Sequence, residues 1–384
     1  MTRSTRAPRL GIIGGGQLAR MMIAPAVELG VDIRVLAEAE GMSAALATTA
    51  VGDYRDAATV LAFAADVDVV SFDHEHVPQD VLEALVAAGH AVHPGPHALA
   101  IAQDKLLMRE RLSAAGLPVP EWAAVHNTAE LEAFLADHAG EAVVKTPRGG
   151  YDGKGVRVVS SAAEVADWFA LLDPSGPVSA LLVEERVPFR RELAQLVARR
   201  PSGELAAWPV VETVQSDGIC SEVLAPAPHA RGRLSEVCAD IAERVAAELG
   251  VTGVLAVELF ETVDDRVLIN ELAMRPHNSG HWTQDGAVTS QFEQHIRAVL
   301  DLPLGAPDPV ASATVMVNIL GGPEGELLTD RYDRTMRAFP DVKIHGYDKA
   351  SRPGRKVGHV NAVGDDLDDA AYRARAAAAL LRDS

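Results

Sequence analysis

The chain has 384 residues, more than a single hydrophobic core usually supports, so we expect two or three packed domains. Its composition, 48% hydrophobic and 23% charged, is that of a folded globular protein. The formal net charge of −19 argues against a nucleic-acid partner, because such binders usually carry a basic face. It does not argue against a nucleotide ligand, since a few local cations and backbone amides are enough to hold a small anion.

Cysteine usage and apolar segments indicate the compartment. Cys220 and Cys238 show no CxxC or Cys/His spacing, so neither a disulfide framework nor a zinc site is predicted. The apolar stretch after the N-terminus is broken at Gly11 and Gly14, unlike that of a signal peptide, and no segment approaches about 18 uninterrupted apolar residues. We therefore expect a soluble cytoplasmic protein without a membrane partner.

The first hundred residues show alternating strand and helix patterns. Strands are predicted at 10–13, 33–36 and 67–72, and helices at 18–29, 56–65 and 79–88. This βαβ alternation predicts an open parallel sheet with helices on both faces. The sheet should end near the break at Pro94-Gly95-Pro96.

The rest of the chain mixes both element types. After the break we predict a helix at 98–115, strands at 142–145 and 156–159, a helix at 162–172, a strand at 180–187, a strand pair within 192–214 and an amphipathic helix at 234–249. Beyond the Pro- and Gly-rich stretch 302–309, a last small unit of strands is expected to end in a C-terminal helix.

The first motif is GGGQLA at residues 14–19, between a predicted strand and helix, with Glu38 about twenty residues later. Taken alone it predicts dinucleotide binding, because glycines permit close backbone approach and a helix N-terminus favours an anion. Many folds use the same turn only to pack a helix on a strand, so the signal is weak.

The second motif, SFDHEHV at residues 71–77, follows the third predicted strand, where open parallel sheets bind ligands. Asp73, His74, Glu75 and His76 cannot all converge on a metal without a turn, because consecutive strand residues face opposite sides. A solvated loop explains the motif equally well. Glu75 alone, accepting a hydrogen bond from a hydroxyl or an amine, requires less special geometry.

The third motif is the Gly-rich segment KTPRGGYDGKGV at residues 145–156, flanked by predicted strands. Its glycines and its basic residues Lys145, Arg148 and Lys154 describe a loop that presents amides and positive charge, for which phosphate is the natural ligand. It is not a P-loop, because no GxxxxGK[ST] run followed by a helix is present.

The fourth motif is a predicted hairpin carrying Glu258 and Glu271. A two-residue turn at Asp264-Asp265 would place the two glutamates directly opposite each other on one face of the hairpin. Like charges in that arrangement are destabilising unless something lies between them, and a divalent cation removes the penalty. Carboxylate oxygens favour Mg²⁺, with water and substrate phosphates completing its coordination. A shared proton, or two solvated surface glutamates, is the alternative.

A donor-rich segment without periodicity, MRPHNSGHWT at residues 274–283, follows the hairpin and is typical of an active-site loop. Arg275 and His277, together with Lys349, Arg355 and Lys356 from the last unit, form a cluster suited to a small anion or a sugar phosphate. Any one of them alone is more often a surface charge.

In chain order, the segments GGGQLARM, HEHVP, QDK, KTPRGGYDGKG, EERVPF, VELF, NELAMRPHNSGHWT and RPGRKVGHV resemble those of N5-carboxyaminoimidazole ribonucleotide synthetases, an ATP-grasp family. The resemblance implies a combined α/β and α+β ATP-grasp fold. It implies a Rossmann-like, pre-ATP-grasp substrate-binding domain at 1–103, an ATP-grasp region at 104–305 with a lid subdomain at about 118–187, and a small mixed C-terminal domain at 306–384 packing on the ATP-grasp core.

The reaction implied by the resemblance is ATP-dependent carboxylation of 5-aminoimidazole ribonucleotide with bicarbonate, through carboxyphosphate, in de novo purine biosynthesis. The implied partners are these substrates and a second copy of the chain in a homodimer, and the implied cofactor is Mg²⁺ with Mn²⁺ as an alternative. Three other classes stay open: another ATP-grasp carboxylate–amine ligase, a nicotinamide-dependent oxidoreductase, and a non-catalytic nucleotide-binding regulator.

The resemblance also implies a set of site residues. Those expected to contact ATP are Lys105, Lys145, Gly150, Tyr151, Asp152, Gly153, Lys154, Gly155, Val156, Glu184, Glu185, Arg186, Val187, Glu192, Gln215, Asn270 and Glu271. The metal ligands are Glu258 and Glu271, and the catalytic residues are Arg275, His277, Lys356 and Tyr151. The residues near the ribonucleotide are Gln17, Leu18, Glu75, His76, Asn278, Ser279, Lys349 and Arg355. Lys105 and Gln215 depart from the family pattern, in which Arg and His are common.

Overall fold

The computed structural model describes residues 6–149, 155–173, 176, 178–216, 218–321 and 324–382. Within these residues the strands form three sheets: one parallel sheet near the N-terminus, one small antiparallel sheet, and one large antiparallel sheet that extends to the C-terminal region. No helix in these ranges is long and apolar enough to cross a membrane.

The N-terminal unit has the predicted architecture. Its elements are β1 (Arg9–Ile13), α1 (Gln17–Glu28), β2 (Asp32–Ala37), β3 (Thr48–Val51), α2 (Ala57–Ala64), β4 (Val69–Phe72), α3 (Gln79–Ala87), β5 (Ala91–Val92) and α4 (Pro96–Gln103). The strands are parallel in the order β3-β2-β1-β4-β5, which confirms the predicted parallel sheet. The short edge strands β3 and β5 were not predicted from the sequence.

The strand order reverses at β1, which pairs with β2 on one side and with β4 on the other. Open parallel sheets bind ligands in the crevice beyond the carboxyl ends of the strands at such a point. The GGGQLA turn follows β1, and Asp73 and Glu75 follow β4. The first two sequence motifs therefore lie at the same edge of the sheet.

The next unit contains the small antiparallel sheet. Its elements are α5 (Lys105–Ala114), β6 (Trp122–Val125), α6 (Thr128–Asp137), β7 (Ala142–Lys145), β8 (Val156–Val159), α7 (Ala166–Phe169) and β9 (Leu181–Glu185). The strand order is β6-β9-β7-β8. The single helix predicted at 162–172 is wrong: the chain forms a 3₁₀ turn at Ala162–Val165 followed by the short α7.

The predicted helix at 98–115 is also wrong as one element, because it is divided at Asp104. Asp104 adopts an extended conformation, and its carboxylate caps α5 by accepting from the backbone N–H groups of Leu106 and Leu107 at 3.1 and 3.2 Å. The backbone N–H of Lys105 donates instead to Pro147 at 2.9 Å. The break makes Lys105 the first residue of α5, next to the start of the Gly-rich segment.

The large sheet contains all later strands. Its region comprises β10 (Phe189–Arg199), β11 (Leu205–Ala207), β12 (Val211–Ser216), β13 (Ile219–Ala225), α8 (Arg233–Glu248), β14 (Gly253–Thr262), β15 (Val267–Ala273), α9 (Thr283–Gly286), α10 (Gln291–Val299), β16 (Ala313–Leu320), α11 (Tyr332–Ala338), β17 (Lys343–Gly346), β18 (Lys356–Gly364) and α12 (Leu367–Arg382). The order is β15-β14-β10-β12-β13-β16-β18-β17, with β11 beside β10. The predicted last unit thus shares a sheet with the centre, through the pairing of β13 with β16.

Buried contacts join the N-terminal unit to the large sheet. His295 of α10 is fully buried, and its Nε2 lies 2.8 Å from the Ser71 hydroxyl of β4. Its Nδ1 accepts from the backbone N–H of Val254 at 3.1 Å, so the ring proton is on Nε2, which donates to Ser71. Burial, with a smaller contribution from His93, lowers the pKa of His295 to about 3.

We expect His295 to make the fold sensitive to acid. Because its folded-state pKa lies below the ordinary value of 6.5, only the unfolded chain takes up this proton between about pH 6.5 and pH 3. The free energy of unfolding should fall as the pH drops through this window, by up to about 1.4 kcal/mol per unit from this residue. In denaturant titrations at pH 7.5 and pH 5, His295→Gln should be less stable at pH 7.5 but lose less stability on acidification. The exposed His97, replaced in the same way, is the control, and an unchanged pH slope in His295→Gln would contradict the prediction.

Candidate active site

Glu258 on β14 and Glu271 on β15 lie directly opposite each other, as predicted. The turn between the strands is longer than predicted, since the backbone N–H of Thr262 donates to Arg266 and Asp265 has a φ of +66°. This three-residue loop shifts the pairing by one position, so that Leu259 is opposite Ile269. A bulge at Asn270 shifts it back and restores the glutamate pair.

The two carboxylates destabilise each other in the absence of a cation. Burial and the neighbouring charges of Glu271 and Glu192 raise the pKa of Glu258 above its ordinary value. Glu271 accepts a hydrogen bond from the Lys105 ammonium, which supplies one compensating charge. His277 Nε2 lies 3.4 Å from a Glu258 oxygen. The pair has the oxygen donors that Mg²⁺ prefers, and it carries a charge that a divalent cation would offset.

The protein side of such a metal site is incomplete without substrate. Among the described residues, no group of three or more His, Cys, Asp and Glu side chains could hold a metal by itself. Two carboxylates with the remaining positions left to water and phosphate oxygens are typical of Mg²⁺ bound together with a nucleotide. The residues present therefore fit a magnesium ion that arrives with ATP.

Lys145, the last residue of β7, lies beside the hairpin. Its ammonium donates to Asn270 Oδ1 at 3.3 Å and to Glu184 at 2.7 Å. The other oxygen of Glu184 accepts from Arg109, a fully buried residue of α5 that sequence reasoning missed. A signal was available, because Arg109 falls among the buried positions Met108 and Leu112 of an amphipathic helix, where a charge requires a partner.

The Gly-rich loop leaves the sheet next to this lysine. Lys145 and Val156 are paired residues of β7 and β8, and Gly155 accepts from the backbone N–H of Thr146 at 2.9 Å. The two described ends of the loop, Thr146 and Gly155, therefore lie beside Lys145. The predicted contacts Gly150, Tyr151, Asp152, Gly153 and Lys154 lie outside the described residues.

The remaining predicted ATP residues lie from the end of β9 into β10 and on the neighbouring strand β12. Glu185 accepts from the backbone N–H of Glu121 at 3.0 Å, Arg186 pairs with Glu141 at 2.5 Å, and Val187 is buried. Burial raises the pKa of Glu192, and a hydrogen bond from Gln215 partly offsets that rise. Gln215 therefore reaches the site, where the family pattern commonly has histidine.

Arg275 and Glu75 join the active-site loop to the N-terminal unit. Arg275 Nε donates to one Glu75 oxygen at 2.9 Å, and the backbone N–H of Met274 donates to the other at 2.8 Å. Arg275 Nη1 donates to Pro276, and Nη2 makes no hydrogen bond with any described residue. The two N–H groups of Nη2 are thus left for a ligand.

His277 is a neutral imidazole. Burial and the charges of Arg275 and Lys356 lower its pKa to about 3. Its Nδ1 accepts from the backbone N–H of Ser279, so Nε2 carries the proton that faces Glu258. The buried Ser279 orients this ring through its hydroxyl, 2.9 Å from Nδ1. Asn278 lies next to Cys220, whose pKa burial raises to about 12.

Two other predicted substrate residues, Gln17 and Lys349, meet at the N-terminus of α1. The Lys349 ammonium donates to Gln17 Oε1 at 2.5 Å, which joins the C-terminal region to the GGGQLA turn. The Leu18 side chain is buried in the core, so Leu18 can offer a ligand only its backbone N–H. His76 is exposed, and the partly exposed Arg355 donates to the Ala350 carbonyl at 3.2 Å.

The GGGQLA turn also has a packing role. A Cβ atom on Gly16 would lie 2.5 Å from a carboxylate oxygen of Asp73, which is buried beneath the helix and accepts from the backbone N–H of Ala19 at 3.4 Å. Glu38 accepts from the backbone N–H of Gly15 at 3.1 Å. The close contact with Asp73 therefore gives Gly16 a role in packing the helix against the strand, which was the alternative to dinucleotide binding.

Three sequence-family models match the chain: a ribonucleotide synthetase preATP-grasp domain over residues 8–103, an ATP-grasp domain over 110–292, and a phosphoribosylaminoimidazole carboxylase C-terminal domain over 314–373. The N5-carboxyaminoimidazole ribonucleotide synthase of Mycobacterium tuberculosis is 51% identical over 376 residues, which cover 97% of this chain and 87% of that relative. The chain belongs to the N5-carboxyaminoimidazole ribonucleotide synthetase family. The Corynebacterium ammoniagenes relative is 46% identical, covering 97% and 92% of the two chains.

Solved structures agree with this assignment. An N5-carboxyaminoimidazole ribonucleotide synthetase in complex with ADP is 36% identical, with a TM-score of 0.87 and coverage of 98% of both chains. The Aspergillus clavatus enzyme in complex with ADP and 5-aminoimidazole ribonucleotide is 29% identical, with a TM-score of 0.87 and coverage of 98% and 99%. The ATP-grasp fold and the ligase class predicted from the sequence are confirmed.

Proposed function

We propose that the chain carboxylates 5-aminoimidazole ribonucleotide at the expense of ATP in de novo purine biosynthesis. Bicarbonate attacks the γ-phosphate of ATP to give carboxyphosphate and ADP. The carboxyl group then passes to the exocyclic amine, which forms the N5-carbamate and releases phosphate. The observation that carries this proposal is the opposed pair Glu258 and Glu271, with Lys105 in contact with Glu271 and His277 beside Glu258.

The ATP end of the site is formed by Lys145, Lys105 and the Gly-rich loop. Lys145 and the loop amides would bind phosphate oxygens, and Glu184 fixes the position of the lysine at 2.7 Å. Glu258 and Glu271 would hold Mg²⁺, or Mn²⁺ in its place. The bound cation would neutralise charge that develops on the transferring phosphoryl group. Lys105 would then lose its partner Glu271 and be free to contact phosphate.

The carboxyphosphate end is formed by Arg275, His277 and Lys356. Arg275 presents a donor that no described residue uses, and Glu75 holds its orientation. The neutral His277 can donate from Nε2 without adding a further buried charge. These groups would bind bicarbonate and the carboxylate of the intermediate, and closure of the Gly-rich loop with Tyr151 would exclude water from it.

The ribonucleotide end is proposed at the crevice where the first parallel sheet meets the C-terminal region. Gln17 and Lys349 are already in contact there, and the N-terminus of α1 favours a phosphate. Arg355, His76, Asn278 and the backbone of Leu18 would complete the contacts. We also propose the domain division 1–103, 104–305 and 306–384, a cytoplasmic location, and a homodimer, for which the family resemblance is the support.

An ADP-release assay tests this function. Purified protein with Mg²⁺ and ATP should release ADP at a high rate only when bicarbonate and 5-aminoimidazole ribonucleotide are both present. Amines without the ribose phosphate are offered as alternative acceptors and should not replace the ribonucleotide. Absence of ADP release from protein shown to be folded by its thermal transition would refute the proposed function, and preference for another amine would identify a sister ligase.

A further inference from the structure

Arg109 is the only fully buried arginine side chain among the described residues, and it contacts two different strands. From α5 its Nε donates to Glu184 on β9, and its Nη2 donates to the backbone carbonyl of Asn270 on β15 at 2.7 Å. The third nitrogen, Nη1, is buried without a hydrogen-bond partner in the described part of the chain. Arg109 thus joins α5 both to the small antiparallel sheet and to the β14–β15 hairpin that carries Glu258 and Glu271.

Charge balance explains why such a residue would be placed here. Lys145 and Arg109 both donate to Glu184, so that two buried cations share one carboxylate. Although burial alone would raise the pKa of Glu184, the two cations lower it below its ordinary value. The group therefore keeps a net charge of one positive unit. Without Arg109, Glu184 would neutralise Lys145 completely.

Stability alone does not account for this arrangement. Burying a guanidinium with an unpaired nitrogen carries a desolvation cost, and buried ion triads are often no more stable than apolar residues of similar size. A contribution to ligand binding is a better explanation, because a buried positive charge interacts strongly with phosphate in a site of low dielectric.

The contact with Asn270 gives Arg109 a second role. Asn270 is the bulged residue that brings Glu271 opposite Glu258, and its side chain also accepts from Lys145. Arg109 holds the backbone carbonyl of this residue, and Lys145 holds its side-chain amide. The position of the phosphate-binding lysine and the register of the two metal-site carboxylates are therefore fixed by one buried network.

We propose that Arg109 is a positioning residue that leaves the positive charge of Lys145 available to ATP phosphates and fixes the Asn270 bulge. This inference rests on the proposed function, because it assigns ATP to the cleft beside Lys145. Arg109 itself does not contact the reacting atoms. It acts by occupying Glu184 and the Asn270 carbonyl.

The test is a charge-balance series measured by calorimetric binding of ADP and by KM for ATP. Arg109→Met should weaken ADP binding and raise KM by about tenfold or more, because Glu184 then neutralises Lys145. The double variant Arg109→Met with Glu184→Gln removes both opposing charges and should bind ADP more tightly than Arg109→Met alone. A merely structural arginine predicts the reverse, since the second substitution would add a second defect.

Arg109→Lys separates the two roles. Lysine keeps the positive charge, so ADP affinity should stay within about threefold of the unmodified protein. A single ammonium cannot donate to both Glu184 and the Asn270 carbonyl as the planar guanidinium does, so kcat should fall. Arg111→Met, an exposed arginine on the same helix, is the matched control and should change neither quantity. Thermal unfolding of each variant shows whether it is folded.

Each outcome decides the proposal. Unchanged ADP binding in folded Arg109→Met, or a double variant weaker than the single one, would overturn it. If Arg109→Met does not fold, a loss of ADP affinity in Arg109→Lys equal to that in Lys145→Met would overturn it as well. Failure of the unmodified protein to bind ADP would instead refute the proposed function, so the two failures are distinguishable.

Discussion

Replacement of Glu271 by glutamine is expected to lower kcat/KM for ATP by about 100-fold or more while the fold is retained. Glutamine keeps the shape and one oxygen but removes the charge that a divalent cation requires opposite Glu258. The fold should persist because Glu271 is about half exposed and the neutral side chain relieves repulsion at the pair. Steady-state ADP release and thermal unfolding measure the two quantities.

A readout other than activity makes the metal assignment specific. Titration with Mn²⁺ in the presence of ADP, followed by the electron spin resonance of the free ion, should show binding weakened by about 10- to 100-fold in Glu271→Gln. Glu248→Gln, an exposed carboxylate at the end of α8, is the matched control. Unaltered turnover and unaltered Mn²⁺ binding in the Glu271 variant would refute the assignment of the metal site to this hairpin.

The glutamate pair shows how a correct prediction can rest on an incomplete reason. The sequence predicted the pair from a two-residue turn, but the chain uses a three-residue loop with Asp265 in the left-handed region. The resulting shift is cancelled by the bulge at Asn270. The alternation of apolar and polar residues reveals neither the longer loop nor the bulge. The bulge in particular is stabilised by partners elsewhere in the chain, here Arg109 and Lys145.

Secondary structure was predictable where burial imposes a period. The strands β1, β2 and β4 are buried runs between amphipathic helices, and their boundaries agree with the structure to within two residues. The division of the helix at Asp104 was not predicted. The apolar pattern continues across it, and the break is fixed by the capping carboxylate and by a contact between Lys105 and Pro147, more than 40 residues later.

The candidate site was predictable as a set of segments and not as a set of contacts. Glu75 and Arg275 were each identified from their own motif, yet nothing in either motif indicates that they bind each other across 200 residues. Arg109 carries no motif at all. Its role depends on Glu184 and Asn270, which only the folded chain brings to it.

Replacement of Arg275 by methionine is expected to lower kcat by about 10³-fold while ADP binding stays within about threefold of the unmodified protein. The reason is the division of the site. Arg275 contacts Glu75 and Pro276 at the end proposed to bind carboxyphosphate, whereas Lys145 and Lys105 lie at the end proposed to bind ATP. Steady-state kinetics and calorimetry with ADP measure the two effects separately, and a parallel loss of ADP binding would place Arg275 at the nucleotide instead.

Methionine at this position also removes the cationic partner of Glu75. A partly buried carboxylate without a partner could lower the rate by itself. The double variant Arg275→Met with Glu75→Gln removes that charge. Arg275→Lys keeps a cation but lacks the planar set of donors of a guanidinium. If the double variant stays as slow as the single one and the lysine variant recovers part of the rate, the loss arises from the missing donor to the intermediate. If the double variant recovers most of the rate, Arg275 serves mainly to neutralise Glu75. The assignment of the carboxyphosphate end therefore depends on the rate of the double variant more than on that of either single change.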